Sequence, residues 1–75
     1  MTTVKFCHIT FFGTYMVLKA ERLIKQAGIS VDTVAAPRHI STECGICIKL
    51  ASADRERALA VLAEADMEIS GVYNE

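Results

Sequence analysis

Hydrophobic and polar positions change period several times along this chain, and each change marks an element. Residues 3–9 alternate, with Val4, Phe6 and His8 on one side and Lys5, Cys7 and Ile9 on the other, which is the two-residue repeat of a short strand. Phe11-Phe12-Gly13 breaks the repeat, and Thr14 stands where its hydroxyl can accept from a free amide of a first helical turn. Over residues 15–27, Val17, Ala20, Ile24 and Ala27 recur at helical spacing with Leu23 beside them, while Lys19, Arg22, Lys25 and Gln26 fill the wet side. Gly28 follows as the residue past the helix end, where a left-handed backbone costs glycine nothing. Residues 29–35 predict a second strand, ended by Pro37. Residues 44–50 predict a third, with Cys44, Ile46, Ile48 and Leu50 facing one way and Gly45, Cys47 and Lys49 the other. Ser52 or Asp54 caps a second helix that runs to about residue 65 on Ala58, Val61, Leu62 and Ala65, and residues 69–73 form a last strand.

The order β-α-β-β-α-β interleaves two right-handed crossovers into a four-stranded antiparallel sheet of order 4-1-3-2 with both helices on one face. This is a ferredoxin-like split β-α-β in the α+β class. At 75 residues the chain is read as one domain, 1–75, with its core over about residues 3–73. Placing Val4, Phe6, Ile46, Ile48 and Leu50 on the covered face sends Cys7 and Cys47 to the open face, together with Lys5 and Lys49. Neighbours across a strand pair approach within about 5 Å, so this assignment brings the two thiols within coupling range if the register allows it. The open face would also be the surface through which a homodimer forms.

Composition narrows the field. An apolar content of 52% excludes disorder, and 8 basic against 9 acidic side chains leave a net charge of -1 with no basic stripe for nucleic acid. Lys19, Glu21 and Arg22 interrupt the longest apolar stretch well short of a bilayer span, so no membrane association is expected. The start, Met1-Thr2-Thr3-Val4-Lys5, lacks the basic-then-apolar pattern of an export signal. Three cysteines are an odd number, and they read as thiols of a cytoplasmic protein and not as a disulfide framework.

The chemistry-bearing stretch is Pro37-Arg38-His39-Ile40-Ser41-Thr42-Glu43-Cys44-Gly45-Ile46-Cys47. Cys44 and Cys47 have CxxC spacing, but a tetrahedral metal site needs four ligands, so zinc or iron would require Cys7 and His39, or His8, to join them. The motif opens a strand, whereas a thioredoxin-type pair opens a helix whose amides activate the thiol. Cys44 is read either as an ionisable thiol at the loop-to-strand junction, supported by Arg38 or a loop amide, or as a small buried hydrophobe. Cys7, Cys47 and His8 have the same structural reading open to them. Ser41 and Thr42 supply hydroxyls for the loop, Glu43 is an unfavourable neighbour for a thiolate, and Gly45 allows an unusual dihedral beside the sulfur. His39 is read as a proton-transfer group or a solvated loop residue. Glu21 is placed to reach Arg38 and orient the loop. Phe12 covers the core edge or flanks an anion site at the first helix's N-terminus. No GxGxxG, P-loop or HExxH motif is present.

At these residues the chain resembles the selenium/sulfur carrier protein-like family. The resemblance is carried by Phe12 and Thr14, Ala20-Glu21, Gly28-Ile29, and above all the PRxxSxxCG run of Pro37, Arg38, Ser41, Cys44 and Gly45. It implies that Cys44 holds sulfur or selenium as a persulfide or selenyl-sulfide, with Arg38 as its companion. It also implies a protein donor such as a cysteine desulfurase and an acceptor protein, and a carrier in place of an enzyme in the usual sense. Two departures stand out. Gly13 replaces a common proline, and Cys47 adds a thiol that could resolve the persulfide to a disulfide and release sulfide. Two other readings remain open: a thiol-redox or metal-binding module using Cys44 and Cys47, and a non-catalytic interaction domain.

Overall fold

The structure, a computed structural model, describes residues 5–40 and 44–74. Its elements are β1 (Phe6–Thr10), α1 (Thr14–Gln26), β2 (Val31–Ala35), β3 (Ile46–Ala51), a 3-10 turn (Ser52–Asp54), α2 (Arg55–Glu64) and β4 (Gly71–Asn74). The four strands form one antiparallel sheet of order β2-β3-β1-β4, the expected order read from the other edge. The α+β class therefore stands.

The register corrects the predicted faces of β1. Phe6 opposes Ala51, Cys7 opposes Leu50, His8 opposes Lys49 and Ile9 opposes Ile48, so odd-numbered residues of β1 always share a face with even-numbered residues of β3. Cys7 and Ile9 consequently join Val31, Ile48 and Leu50 in the core, where Val17, Ala20 and Ile24 of α1 and Ala58 and Leu62 of α2 meet them. Phe6, expected on that face, lies on the far one instead, with Lys49 Nζ 4.3 Å from its ring centroid. Cys47 also lies on the far face, so Cys7 and Cys47 are separated by the sheet and do not pair. A two-residue period makes such errors complete: a register shift of one residue exchanges every side chain between faces. Val4, placed on the covered face by the sequence, lies outside the described residues.

Helix α1 begins at the residue predicted to cap it. Gly13 is the N-cap in extended backbone, with Met16 N and Val17 N donating to its carbonyl, and Thr14 is the first helical residue without a capping role. The helix stops in a Schellman arrangement: Gly28 N donates to Lys25 O at 3.0 Å and Ile29 N to Ile24 O at 3.2 Å, with Gly28 at φ +82. Buried Ile24 and Ile29 supply the apolar contact that goes with that motif. Ala27, counted in the dry stripe, is exposed at the C-cap. In α2 the N-cap position falls to Asp54, whose carboxylate pairs with Arg57 at 3.7 Å and does not cap an amide.

The end of α2 repeats the same hydrogen-bond pattern on a less suitable residue. Asp66 N donates to Ala63 O and Met67 N to Leu62 O, which puts Asp66 at φ +54. A left-handed backbone costs a residue with a Cβ about 1–2 kcal/mol, and a carboxylate sits poorly at the negative end of a helix. Asp66→Gly is therefore expected to stabilise the protein by about 1 kcal/mol, read as a higher urea midpoint with an unchanged slope. A midpoint at or below that of the wild type contradicts this account.

Candidate functional site

Strands β1 and β2 both run antiparallel to β3, so their C-terminal ends lie together. The N-terminus of α1 and the connection between β2 and β3 therefore share one end of the molecule. Ala36 N donates to Gly45 O at 3.0 Å, which carries the β2–β3 ladder one step past the Ala35–Ile46 pair and closes the base of the connection. Gly45 sits at φ +76, the left-handed backbone its sequence position suggested, and this turn sets Cys44 off from the strand. Strand β3 thus starts at Ile46 and not at Cys44. Ile40 N donates to Pro37 O at 2.9 Å, making a turn that buries Ile40 and leaves Arg38 and His39 exposed. Ser41, Thr42 and Glu43 lie outside the described residues.

The three thiols occupy different surroundings. Cys44 is half-buried, packs on the margin of the core as Met16 and Ile46 do, and donates from Sγ to Ile46 O at 3.4 Å. Cys47 is 0% exposed on the far face opposite Val34, and burial, helped by nearby Cys44, pushes its pKa above the ordinary value of 9.0. Cys7 is also 0% exposed, and burial raises its pKa in spite of Arg55, which acts in the opposite sense. Cys44 alone of the three has a share of the surface. Among the described residues no group of three or more His, Cys, Asp or Glu side chains is placed to hold a metal ion, and Cys7, Cys44, Cys47 and His39 are not brought together.

The expected tie between Glu21 and Arg38 is replaced by another. Glu21 Oε2 accepts from Thr33 Oγ1 at 2.7 Å, and Oε1 lies 3.7 Å from Lys25 Nζ one turn along α1. The Thr33 hydroxyl, followed by Lys25, holds the Glu21 carboxyl below its usual range against the opposing effect of burial. This carboxylate pins α1 to edge strand β2, and Arg38 makes no hydrogen bond or ion pair among the described residues. Of the two aromatics before α1, Phe11 is fully buried and takes the core-edge place considered for Phe12, which is exposed. On the far face, register aligns Asp32, Lys49, His8 and Tyr73 in one row across all four strands, with His8 nearly buried. The sequence had no signal for this row, because its members sit on four separate strands.

What fold and site define together is a small α+β protein that presents one partly exposed thiol on the connection into a central strand. A family model described as "Putative Se/S carrier protein-like" matches residues 6–74, and the chain belongs to that family. No curated protein and no solved structure matches it.

Two measurements check this geometry. Iodoacetamide at neutral pH is expected to modify Cys44 first, with Cys7 and Cys47 reacting only once the protein is unfolded in urea; peptide mapping that finds Cys7 or Cys47 labelled at a comparable rate in the native state contradicts the burial described. Glu21 has a folded pKa below its ordinary value of 4.5, so its contribution is whole above that value and is lost as pH falls through the lower folded value. Glu21→Gln should accordingly flatten the acid limb of a plot of stability against pH, and an unchanged limb refutes the tie to Thr33.

Proposed function

We propose that this protein carries sulfur or selenium as a persulfide or selenyl-sulfide on Cys44 and passes it to a partner protein in the cytoplasm. The observation that carries the reading is the coincidence of the family match with a single partly exposed thiol, at the position where the PRxxSxxCG run places its cysteine. Relay chemistry asks for an accessible sulfur on a small body and no acid-base dyad. In this reading both helices pack on one face of a ferredoxin-like split β-α-β, which leaves the Cys44 end clear for a partner. Arg38, exposed and without a hydrogen bond or ion pair among the described residues, supplies a positive charge to the loaded sulfur. Gly45 gives the backbone turn that sets the thiol apart from β3. Among the described residues no helix is long and apolar enough to cross a membrane.

Cys47 has a defined place in this scheme. Attack on a Cys44 persulfide by the Cys47 thiol would form a Cys44–Cys47 disulfide and expel the outer sulfur as sulfide, ending the relay. Burial of Cys47 in β3 raises its pKa and so disfavours the thiolate that this attack requires. The sulfane sulfur is thereby protected for as long as the strand stays folded.

Exposure to a cysteine desulfurase and cysteine is expected to add the mass of one sulfur to the wild-type chain and none to Cys44→Ser. Cys47→Ala should hold that sulfur as long as the wild type does. An intact mass that never changes in the wild type counts against the carrier, and a markedly longer-lived adduct in Cys47→Ala counts against the protected persulfide.

A further inference from the structure

Strand β3 hides a thiol on the face of the sheet that carries no helix. The helices meet Cys7, Ile9, Ile48 and Leu50 on the other face, and Cys47 points away from them, opposite Val34. Cys47 is nevertheless 0% exposed. One step past the Ile9–Ile48 pair the ladder sets Thr10 beside it, and Thr10, which pairs with Gly71, is also 0% exposed. The next row along the same face is wetter: Asp32 is exposed, Lys49 and Tyr73 are half-buried, and His8 is 8% exposed. The cover on this face is therefore deepest in the row nearest the β2–β3 connection.

Two sources of cover are at hand. On the β4 side the Tyr73 ring leans back along its strand. A Cβ built on Gly71 would stand 2.9 Å from Tyr73 Cε1, so the ring takes the space over Gly71, the partner of Thr10. On the β2 side stands the connection. Ile40 N donates to Pro37 O at 2.9 Å, in a turn that leaves Arg38 and His39 exposed while Ile40 is only 5% exposed. Ile40 is not a member of the main core that α1 and α2 complete. A buried isoleucine needs other side chains to pack on. At the foot of the connection on this face those are Val34 and Cys47, one step inside the Ala35–Ile46 pair.

We propose that the Ile40 side chain, folded back by the Pro37–Ile40 turn onto Val34 and Cys47, is the seal that keeps Cys47 out of the chemistry at Cys44. Ile40 is then a positioning residue, which touches no cargo and acts by covering a second thiol. The consequence for the cargo rests on the carrier reading, whereas the seal itself does not. Cys44 is near enough for its charge to act on Cys47. With the turn lifted, the Cys47 thiolate attacks the Cys44 sulfur of the persulfide, a Cys44–Cys47 bond forms, and the bond to the outer sulfur breaks. The outer sulfur leaves as hydrosulfide and is reduced as the two cysteine sulfurs are oxidised, and the proton of Cys47 passes to solvent, so no further oxidant is needed. A partner that takes sulfur from Cys44 must therefore reach it with this turn seated.

Thiol labelling of the folded protein tests the seal without any sulfur source. Iodoacetamide at neutral pH is expected to reach Cys47 at least about tenfold faster in Ile40→Ala than in the wild type, because trimming a buried isoleucine eases the local opening that exposes what lies beneath it. Cys7, on the opposite face, is the internal control, and its rate should stay that of the wild type. Ile40→Val should fall between the wild type and Ile40→Ala at Cys47. Equal Cys47 rates in all three proteins overturn the seal. So does a parallel rise at Cys7 and Cys47 in both variants, which makes Ile40 a contributor to global stability and no more. After loading by a cysteine desulfurase and cysteine, Ile40→Ala should lose its added sulfur faster than the wild type, and Ile40→Ala/Cys47→Ala should hold it as long as the wild type does. A sulfur equally long-lived in Ile40→Ala overturns the link between the seal and the persulfide. A wild type that never gains sulfur brings down the carrier reading, and the labelling result then decides the seal alone.

Discussion

The pairing of β1 with β3 governs most of what this protein can do. Opposed residues alternate in parity along that ladder, so Cys7 must share a face with Ile48 and Leu50, and Cys47 must turn to the other side. Had the strands slipped by one residue, Cys7 and Cys47 would share a face and Phe6 would fill the core in place of Ile9. The observed register separates two thiols that share the central strands, and Cys44, which lies just outside the ladder, is the one cysteine of the three that is not buried. Burial then raises the pKa values of Cys7 and Cys47.

Around that ladder, a few polar ties position the connection that bears Cys44. The Ala36–Gly45 hydrogen bond closes its base, and the left-handed Gly45 takes the chain out of strand geometry where Cys44 begins. Glu21 fastens α1 to Thr33 of β2, the strand that delivers the chain into the connection. The Schellman stop at Gly28 ends the helix with Ile29 buried and the chain aimed into β2. Chemistry placed on a loop between two rigid strands is a common division of labour, since the scaffold keeps position while the loop meets the partner.

The same helix serves both sides of the protein. Its inward stripe completes the core, and its outward side leaves Tyr15 and Leu18 exposed. The far face of the sheet has a different character. There the row from Asp32 to Tyr73 is polar, and Lys49 covers Phe6 by a cation–π contact, so the apolar surface expected of an open sheet is largely absent.

Local signals in the chain determined the element types, the strand order, the stop at Gly28, the special backbone at Gly45 and the thiol of interest at Cys44. Each of these depends on residue period, a glycine at a turn or a short contiguous motif, all of which are encoded by near neighbours. Tertiary structure alone decided which face each β1 residue takes, that Cys47 is sealed, that Glu21 bonds Thr33 and not Arg38, and that Phe11 is buried while Phe12 is not. The reason is physical: alternation in a strand is symmetric between its two faces, and only pairing with a partner strand breaks that symmetry. The partner lies some forty residues away along the chain, beyond the reach of any local pattern.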